Sequence, residues 1–234
     1  AYSLGGTANS GDYTGVKGGL GRKYITFEAG VDTATVELDP TKSNQHEQDK
    51  TVEIRVLTGK GYKTGDATFA QGVILNDGGY LTSHNDTYSG SEGSDTVYGL
   101  KGNDEIAGNG GADWLSGGLG NDYLAGGDGA DTYFFGEKLS GTKNLDTIAD
   151  FSLSDGDIIE LDNKIFKQLG NTGSLVDDYF RVGAQAADSN DYLIYNSTTG
   201  GLFYDSDGSG VRSAVQFAKL DGAPELTASN FKVV

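Results

Sequence analysis

Six aspartates, Asp86, Asp95, Asp104, Asp113, Asp122 and Asp131, recur at intervals of nine residues in a glycine-rich stretch. Carboxylates are hard oxygen donors, and an evenly spaced array of them is suited to holding cations. Two residues after each aspartate stands one large apolar or aromatic side chain: Tyr88, Val97, Ile106, Leu115, Leu124 and Tyr133. From Gly90 the nonapeptides read GSEGSDTVY, GLKGNDEIA, GNGGADWLS, GGLGNDYLA and GGDGADTYF. LTSHNDTYS, just before them, keeps the register without the glycines. The pattern is G-G-x-G-x-D-x-U-x, with U large and apolar.

The spacing dictates a geometry. The glycine-rich half makes a turn with φ values that other residues resist, and it lets backbone approach a cation. The last three residues form a short strand with one large side chain pointing inward. Two nonapeptides complete one coil, and stacked strands lie about 4.8 Å apart. Carboxylates two repeats apart then pair as Asp86/Asp104, Asp95/Asp113, Asp104/Asp122 and Asp113/Asp131. With backbone carbonyls they offer an oxygen shell suited to calcium, whereas magnesium demands a tighter octahedron and keeps more water.

Composition agrees. The 234 residues include 38 Gly, 34 acidic and 17 basic residues, for a net charge of −17. That field repels phosphate backbones, so nucleic acid is not an expected partner. With no cysteine there is neither a disulfide framework nor a thiolate metal site. No apolar run is long enough to span a membrane as a helix. Only 2 Pro accompany the glycines, which excludes collagen. Between Asp86 and Phe134 nine acids face one base, Lys101, a composition typical of disorder. The strict period argues for order instead.

These nonapeptides resemble the RTX (repeats-in-toxin, hemolysin-type) calcium-binding parallel β-roll of bacterial proteins exported by type I secretion. The resemblance implies that aspartate carboxylates and turn carbonyls share each ion. Carried over by position, Ser91, Gly93 and Asp95 would act with Gly108, Gly110 and Asp113. Leu100, Gly102 and Asp104 would act with Gly117, Leu119 and Asp122, and Asn109, Gly111 and Asp113 with Gly126, Asp128 and Asp131. A closing site would join Gly118, Gly120 and Asp122 to Glu137. About four Ca²⁺ ions are expected, in the range of extracellular calcium modules. The turn before Asp86 departs from the pattern at Leu81, Thr82 and His84.

After the repeats, GADTYFFGEKLSGTKNLDTIADFSLSDGDIIELD resembles the segment that closes such rolls. Ile148 and Phe151, then Ile158, Ile159 and Leu161, read as strands capping the open end. A short amphipathic helix is expected around Ile165, Phe166 and Leu169, ended by Gly170. The stretch after Asp191 reads as an antiparallel meander. LTASNFKVV is similar to RTX C-termini, which carry the uncleaved export signal, and the natural C-terminus is expected near Val234. Asp205 and Asp207 suggest a calcium loop, but Gln216 stands where an EF-hand needs Glu, so a hairpin turn is the better reading. Asp146, Asp150, Asp155 and Asp157 read better as turn residues and strand ends than as ligands.

Before the repeats, ATVEL and TVEIRV alternate as half-buried strands do. The order YSLGGTANSGDYTG, ITFEAGVDTATVEL, KTVEIRVLTGKGY and ATFAQGVILNDG is similar to the later part of a Calx-β domain, whose first strands would precede Ala1. Asn76 and Asp77 are weak ligand candidates there, and a spacer role suits them better.

The expected fold is therefore all-β. It comprises a partial sandwich (1–77), a calcium-bound parallel β-roll (78–136) and a β-rich C-terminal cap with a type I secretion signal (137–234). His46 and His84 are the only histidines, and no Gly-x-Ser-x-Gly elbow occurs, so no catalytic centre is expected. Trp114 could stack on a sugar, but the seventh repeat position faces outward, which makes it a surface or interface residue. The expectation is a non-catalytic module of a secreted or surface-attached bacterial protein of the adhesin class. Its partners would be calcium, the type I machinery during export, and surface or matrix ligands reached through upstream domains. The alternative is the export and folding module of a secreted enzyme whose catalytic domain lies upstream.

Overall fold

One large side chain per nonapeptide turns inward, and the stack of these side chains organises the second half of the chain. The computed structural model describes residues 78–234 throughout and, before them, strands alone. Two compact units result, Ala1–Asn76 and Asp77–Val234.

In the first unit the strands are β1 (Tyr2–Gly6), β2 (Tyr13–Thr14), β3 (Gly21–Lys23), β4 (Asp39–Pro40), β5 (Lys50–Val56) and β6 (Phe69–Ile74). An antiparallel sheet runs β3-β1-β5-β6, and β2 pairs with β4. The expected TVEIRV strand falls in β5. The ATVEL strand, the Calx-β-like reading and the Asn76 and Asp77 candidates lie outside the described residues.

The second unit holds β7 (Gly78–Tyr80), β8 (Thr87–Ser89), β9 (Thr96–Tyr98), β10 (Glu105–Gly110), β11 (Trp114–Ser116), β12 (Tyr123–Asp128) and β13 (Thr132–Phe135). Then come β14 (Asp146–Ile148), β15 (Ile158–Leu161), β16 (Gly173–Ser174), β17 (Phe180–Val182), β18 (Leu193–Asn196), β19 (Gly201–Tyr204), β20 (Val215–Leu220) and β21 (Phe231–Val233). The chain alternates between two sheets, ordered β17-β18-β19-β20-β14-β12-β10-β8 and β16-β21-β15-β13-β11-β9-β7. Neighbours from β8 to β20 and from β7 to β21 are parallel, as a coil of nonapeptides requires. The fold is all-β, with a parallel β-roll at its centre. Among the described residues there is no α-helix, and no helix is long and apolar enough to cross a membrane.

Register aligns the apolar column. Tyr88, Ile106, Leu124, Ile148 and Leu220 meet in one sheet, and Val97, Leu115, Tyr133, Ile159 and Phe231 in the other. All ten are buried. Burying one such side chain stabilises by about 1.5–3 kcal/mol. A single column of them is a thin core against the entropy of ordering so much glycine. At the C-terminal end the core thickens, with Phe135, Phe166, Tyr204 and Phe217 packed edge to face.

The expected closing strands are present: Ile148 stands in β14 and Ile158, Ile159 and Leu161 in β15, which cover the open end by lying parallel on β12 and β13 as further rungs. Two details differ. Phe151 is buried outside any strand. The expected helix is a single 3₁₀ turn, Lys167–Leu169, ended by Gly170 at φ 88°. Asp162 explains it: its carbonyl accepts from the N–H groups of Ile165 and Phe166, and its side chain from that of Lys164. Phe166 and Leu169 are thereby buried by a turn, in a stretch too short to nucleate an α-helix. The antiparallel meander is present as β18-β19-β20.

Candidate metal centre

From Gly99 onward the repeat turns are held open by backbone that few side chains tolerate. Leu100, Asn109 and Gly118, at the second repeat position, have φ of 71°, 77° and 92°. Gly120, at the fourth position, has φ 147°, and a Cβ there would meet the Gly102 carbonyl oxygen at 1.5 Å. Only glycine permits that approach, so successive turns stack carbonyl against Cα.

The aspartates form a ladder. Oδ1 of Asp104, Asp113, Asp122 and Asp131 accepts the N–H of Asp86, Asp95, Asp104 and Asp113 respectively, each at 2.8 Å. The second oxygen differs along the roll. Asp86 Oδ2 accepts from Thr82 N–H and its hydroxyl, and Asp95 Oδ2 from Ser91 N–H. Oδ2 of Asp104, Asp113, Asp122 and Asp131 is buried with no hydrogen-bond partner. A buried carboxylate oxygen left unsatisfied costs about 1–3 kcal/mol or more. Four in register therefore point to a cation that would occupy them.

Carbonyls face the same space. A Cβ at Gly99 would meet both Asp104 Oδ2 and the Gly117 carbonyl oxygen, and one at Gly108 both Asp113 Oδ2 and the Gly126 carbonyl oxygen. Among the described residues, no three acidic or imidazole side chains converge on one point. Pairs of carboxylates supplemented by backbone carbonyls would form the donor set, and hard oxygen donors of this kind fit calcium.

The structure brings most of the expected ligands together. Gly93, Gly111 and Gly102 approach their partners eighteen residues away. Gly110 N–H donates to the Ser91 carbonyl, Leu119 N–H to that of Leu100, and Gly111 N–H to that of Asp128. Asn109 adds a side-chain bond to the Gly90 carbonyl. Glu137 is exposed and lines a small cleft with Gly118. Asp86, only partly buried, has its Oδ2 engaged by Thr82.

Two members of the ladder do not follow the nine-residue period. Asp146 Oδ1 accepts Asp122 N–H at 3.1 Å, and Asp157 Oδ1 accepts Asp131 N–H at 2.9 Å. The available signal was local: Asp146-Thr147-Ile148 and Asp157-Ile158-Ile159 repeat the D-x-U triplet. The Asp205–Gly210 loop behaves as a turn between β19 and β20, with Asp207 N–H on Asp205 Oδ1 and Arg212 N–H on Asp207 Oδ2. Trp114 is half-buried, flanked by Tyr98 and Phe134 at 5.0 and 4.9 Å between ring centroids, and its N–H donates to Glu160.

Burial and like charge oppose ionisation along the ladder. Burial is the largest cause in every case, offset in part by the backbone N–H bond. It pushes Asp113 and Asp122 up to about 6 and Asp131 to about 7, and it raises Asp104 and Asp157. Asp146 is held well above the usual carboxylate range by burial and then by Asp122. Because the folded values exceed the unfolded one, protonation favours the metal-free fold at low pH, and that contribution is lost as pH rises through about 6–7. Protons and calcium compete for the same oxygens. Lowering pH from about 7.5 to about 5 is expected to weaken calcium binding at least tenfold while increasing the β-content of the metal-free chain. Calcium titrations and far-UV circular dichroism at both pH values measure this, and a metal-free chain that loses structure on acidification contradicts it.

A family match falls on the same stretch of the chain. Residues 80–115 and 107–137 match the family described as RTX calcium-binding nonapeptide repeat, in four copies. This chain carries RTX repeats. The RTX match covers about a quarter of the chain and spans the aspartate ladder from Asp86 to Asp131. Among solved structures, the AlgE6R3 subunit of the Azotobacter vinelandii mannuronan C5-epimerase is similar at 24% identity and TM-score 0.42, covering 64% of this chain and 80% of that one. The AlgE6R2 subunit of the same epimerase is similar at 24% identity and TM-score 0.38, covering 66% and 89%. No curated protein matches the chain.

Proposed function

We propose that this chain is a non-catalytic C-terminal module of a secreted or surface-attached bacterial adhesin, and that calcium folds its roll after type I export. The RTX repeats make it a calcium-binding module of a kind typical of secreted proteins. The observation that supports coupled folding is the run of buried, unpartnered Oδ2 atoms from Asp104 to Asp131. Bound there, calcium supplies positive charge that offsets carboxylate repulsion and desolvation. With scarce calcium inside the cell, the same repulsion keeps the chain unfolded, as passage through a secretion channel needs.

Four unpartnered oxygens support about four ions, with Kd values near 10⁻⁴ M, as extracellular modules have. The adhesin reading rests on the Calx-β-like order of residues 1–77. A catalytic domain encoded immediately upstream of Ala1, in place of further sandwich repeats, would refute it. The calcium reading is tested on the full chain by isothermal titration with CaCl₂ and with MgCl₂. Several calcium ions are expected to bind, with magnesium at least tenfold weaker. Equal affinity for both metals, or no calcium binding, overturns the reading.

A further inference from the structure

The residue just before each repeat aspartate distinguishes the two sides of the roll. On one side it is Asn85, Asn103 and Asn121, and on the other Ser94, Ala112 and Ala130. All six are exposed, and none stands at a position expected to hold calcium.

The asparagines form a ladder of their own. Asn85 Oδ1 accepts Asn103 N–H at 2.8 Å, Asn103 Oδ1 accepts Asn121 N–H at 2.9 Å, and Asn121 Oδ1 accepts Leu145 N–H at 2.9 Å. This ladder runs against that of the aspartates. Each asparagine accepts from the following turn, whereas Asp104, Asp122 and Asp146 accept from the turn before. Neighbouring turns on this side are therefore tied twice, in opposite directions. Asn144 adds a further tie at the last of them, its Oδ1 accepting Gly120 N–H at 2.9 Å.

The other side has this double tie once. Ser94 Oγ accepts Ala112 N–H at 3.0 Å, opposite the bond from Asp95 N–H to Asp113 Oδ1. Ala112 has no side-chain acceptor to offer Ala130, so the bond from Asp113 N–H to Asp131 Oδ1 stands without its counterpart. Asp150 accepts the N–H groups of Gly126 and Gly127, but these lie at the start of that turn, away from its aspartate. The carboxylates themselves match across the two sides: Oδ2 is buried and unpartnered in Asp104 and Asp122 as in Asp113 and Asp131. What differs is the residue beside them.

We infer that Asn103 and Asn121 are positioning residues for calcium, and that the ion between Asp104 and Asp122 binds more tightly, and at lower calcium, than the ion between Asp113 and Asp131. This rests on the calcium reading proposed above. A neutral amide holds its partner whether or not a cation is present, so it fixes the separation of two turns before the ion arrives. Binding then has less chain left to order, and preorganised ligands hold their partner more tightly. The unclamped pair must be ordered by the ion itself.

Amide NMR of the full chain, titrated with CaCl₂ from EGTA, reads both sides in one sample. Asn121 N–H is expected to complete its change at about twofold to tenfold lower free calcium than Ala130 N–H, the shift that one neutral hydrogen bond supports. Ala130 lies one nonapeptide nearer the C-terminal core, so proximity to that core alone predicts the reverse order. Asn103→Ala, at an exposed position, should abolish the lead of Asn121, and Asn103→Ser should restore part of it, as the Ser94 hydroxyl does opposite. A general loss of stability would move both amides together and keep their order. Ala112→Asn supplies the missing acceptor and should bring Ala130 to lower calcium, which keeps the test open if Asn103→Ala fails to fold. Simultaneous changes in wild type, a lead by Ala130, a lead that survives in Asn103→Ala, or an unmoved Ala130 in Ala112→Asn each overturn the inference while leaving the calcium reading intact. A wild-type chain that binds no calcium overturns both readings together.

Discussion

Excess EGTA is expected to unfold the repeats of the full chain, and about 1–5 mM CaCl₂ to refold them. Trp114 is the only tryptophan, so its emission reports this region alone. Released from Tyr98, Phe134 and Glu160, it should shift to the red as the β signal falls. The size of the effect follows from mass action. Millimolar calcium is a tenfold excess over a Kd of about 10⁻⁴ M and contributes about 1.4 kcal/mol per site. The four proposed sites would contribute about 6 kcal/mol, comparable with the whole stability of an ordinary domain. At roughly 2–4 °C per kcal/mol this raises Tm by about 12–24 °C.

Metal-free, the roll has only its single apolar column, thirteen glycines between Asp86 and Phe134, and buried carboxylates whose charge nothing offsets. The end near Tyr88 should open before the aromatic cluster around Phe166 and Phe217, giving graded hydrogen exchange from N- to C-terminal rungs. Identical Trp114 emission and β content with EGTA and with calcium would refute the coupling of binding to folding.

The roll was legible because its signal is repeated: six aspartates and six apolar residues in one register fix the coil, the facing sheets and the paired carboxylates. Legibility ended where the period broke. Asp146 and Asp157 stand twenty-four and twenty-six residues after their partners, six and eight more than a coil needs. The longer connections carry those residues out of register, so spacing alone cannot align them. The structure restores alignment because the D-x-U triplet still presents a carboxylate to a backbone N–H and an apolar side chain to the core.

How the cap closes the roll was not legible for a related reason. Ile148 and Ile159 announce buried strands, but nothing local says whether such a strand crosses the open end or continues the stack. That is decided by Leu220 and Phe231, which arrive from the far end of the chain to cover them. Around Phe166 the helical spacing of buried residues was real, but the Asp162 turn meets it with less backbone order than a helix.

Asp113→Ala is expected to be the most damaging aspartate truncation in calcium. Asp113 stands mid-ladder: Oδ1 holds Asp95 N–H, its own N–H is held by Asp131, and Oδ2 is buried beside Gly108 with no partner. Truncation leaves the Asp95 N–H unsatisfied, at about 1–3 kcal/mol. In the proposed sites it would also remove a ligand from two pairs, Asp95/Asp113 and Asp113/Asp131, worth about 3 kcal/mol in millimolar calcium. The expected loss is about 4–6 kcal/mol. Asp86→Ala should cost less, about 1–2 kcal/mol, because Asp86 is at the end of the ladder, only partly buried and would serve one pair.

Asp113→Asn separates the two contributions. It keeps the acceptor for Asp95 N–H and removes the charge, so in calcium it should lose mainly the binding component. In EGTA the sign reverses: burial pushes this carboxyl up to about 6, so at neutral pH its ionisation opposes the metal-free fold, and removing the charge should stabilise whatever structure remains. Urea melts of the three variants and wild type, each with calcium and with EGTA, measure every term. Equal losses for Asp113→Ala and Asp86→Ala would refute the stacking register. An Asp113→Asn penalty that persists unchanged in EGTA would show that the aspartate ladder acts as hydrogen-bonded scaffold, with calcium no part of its stability.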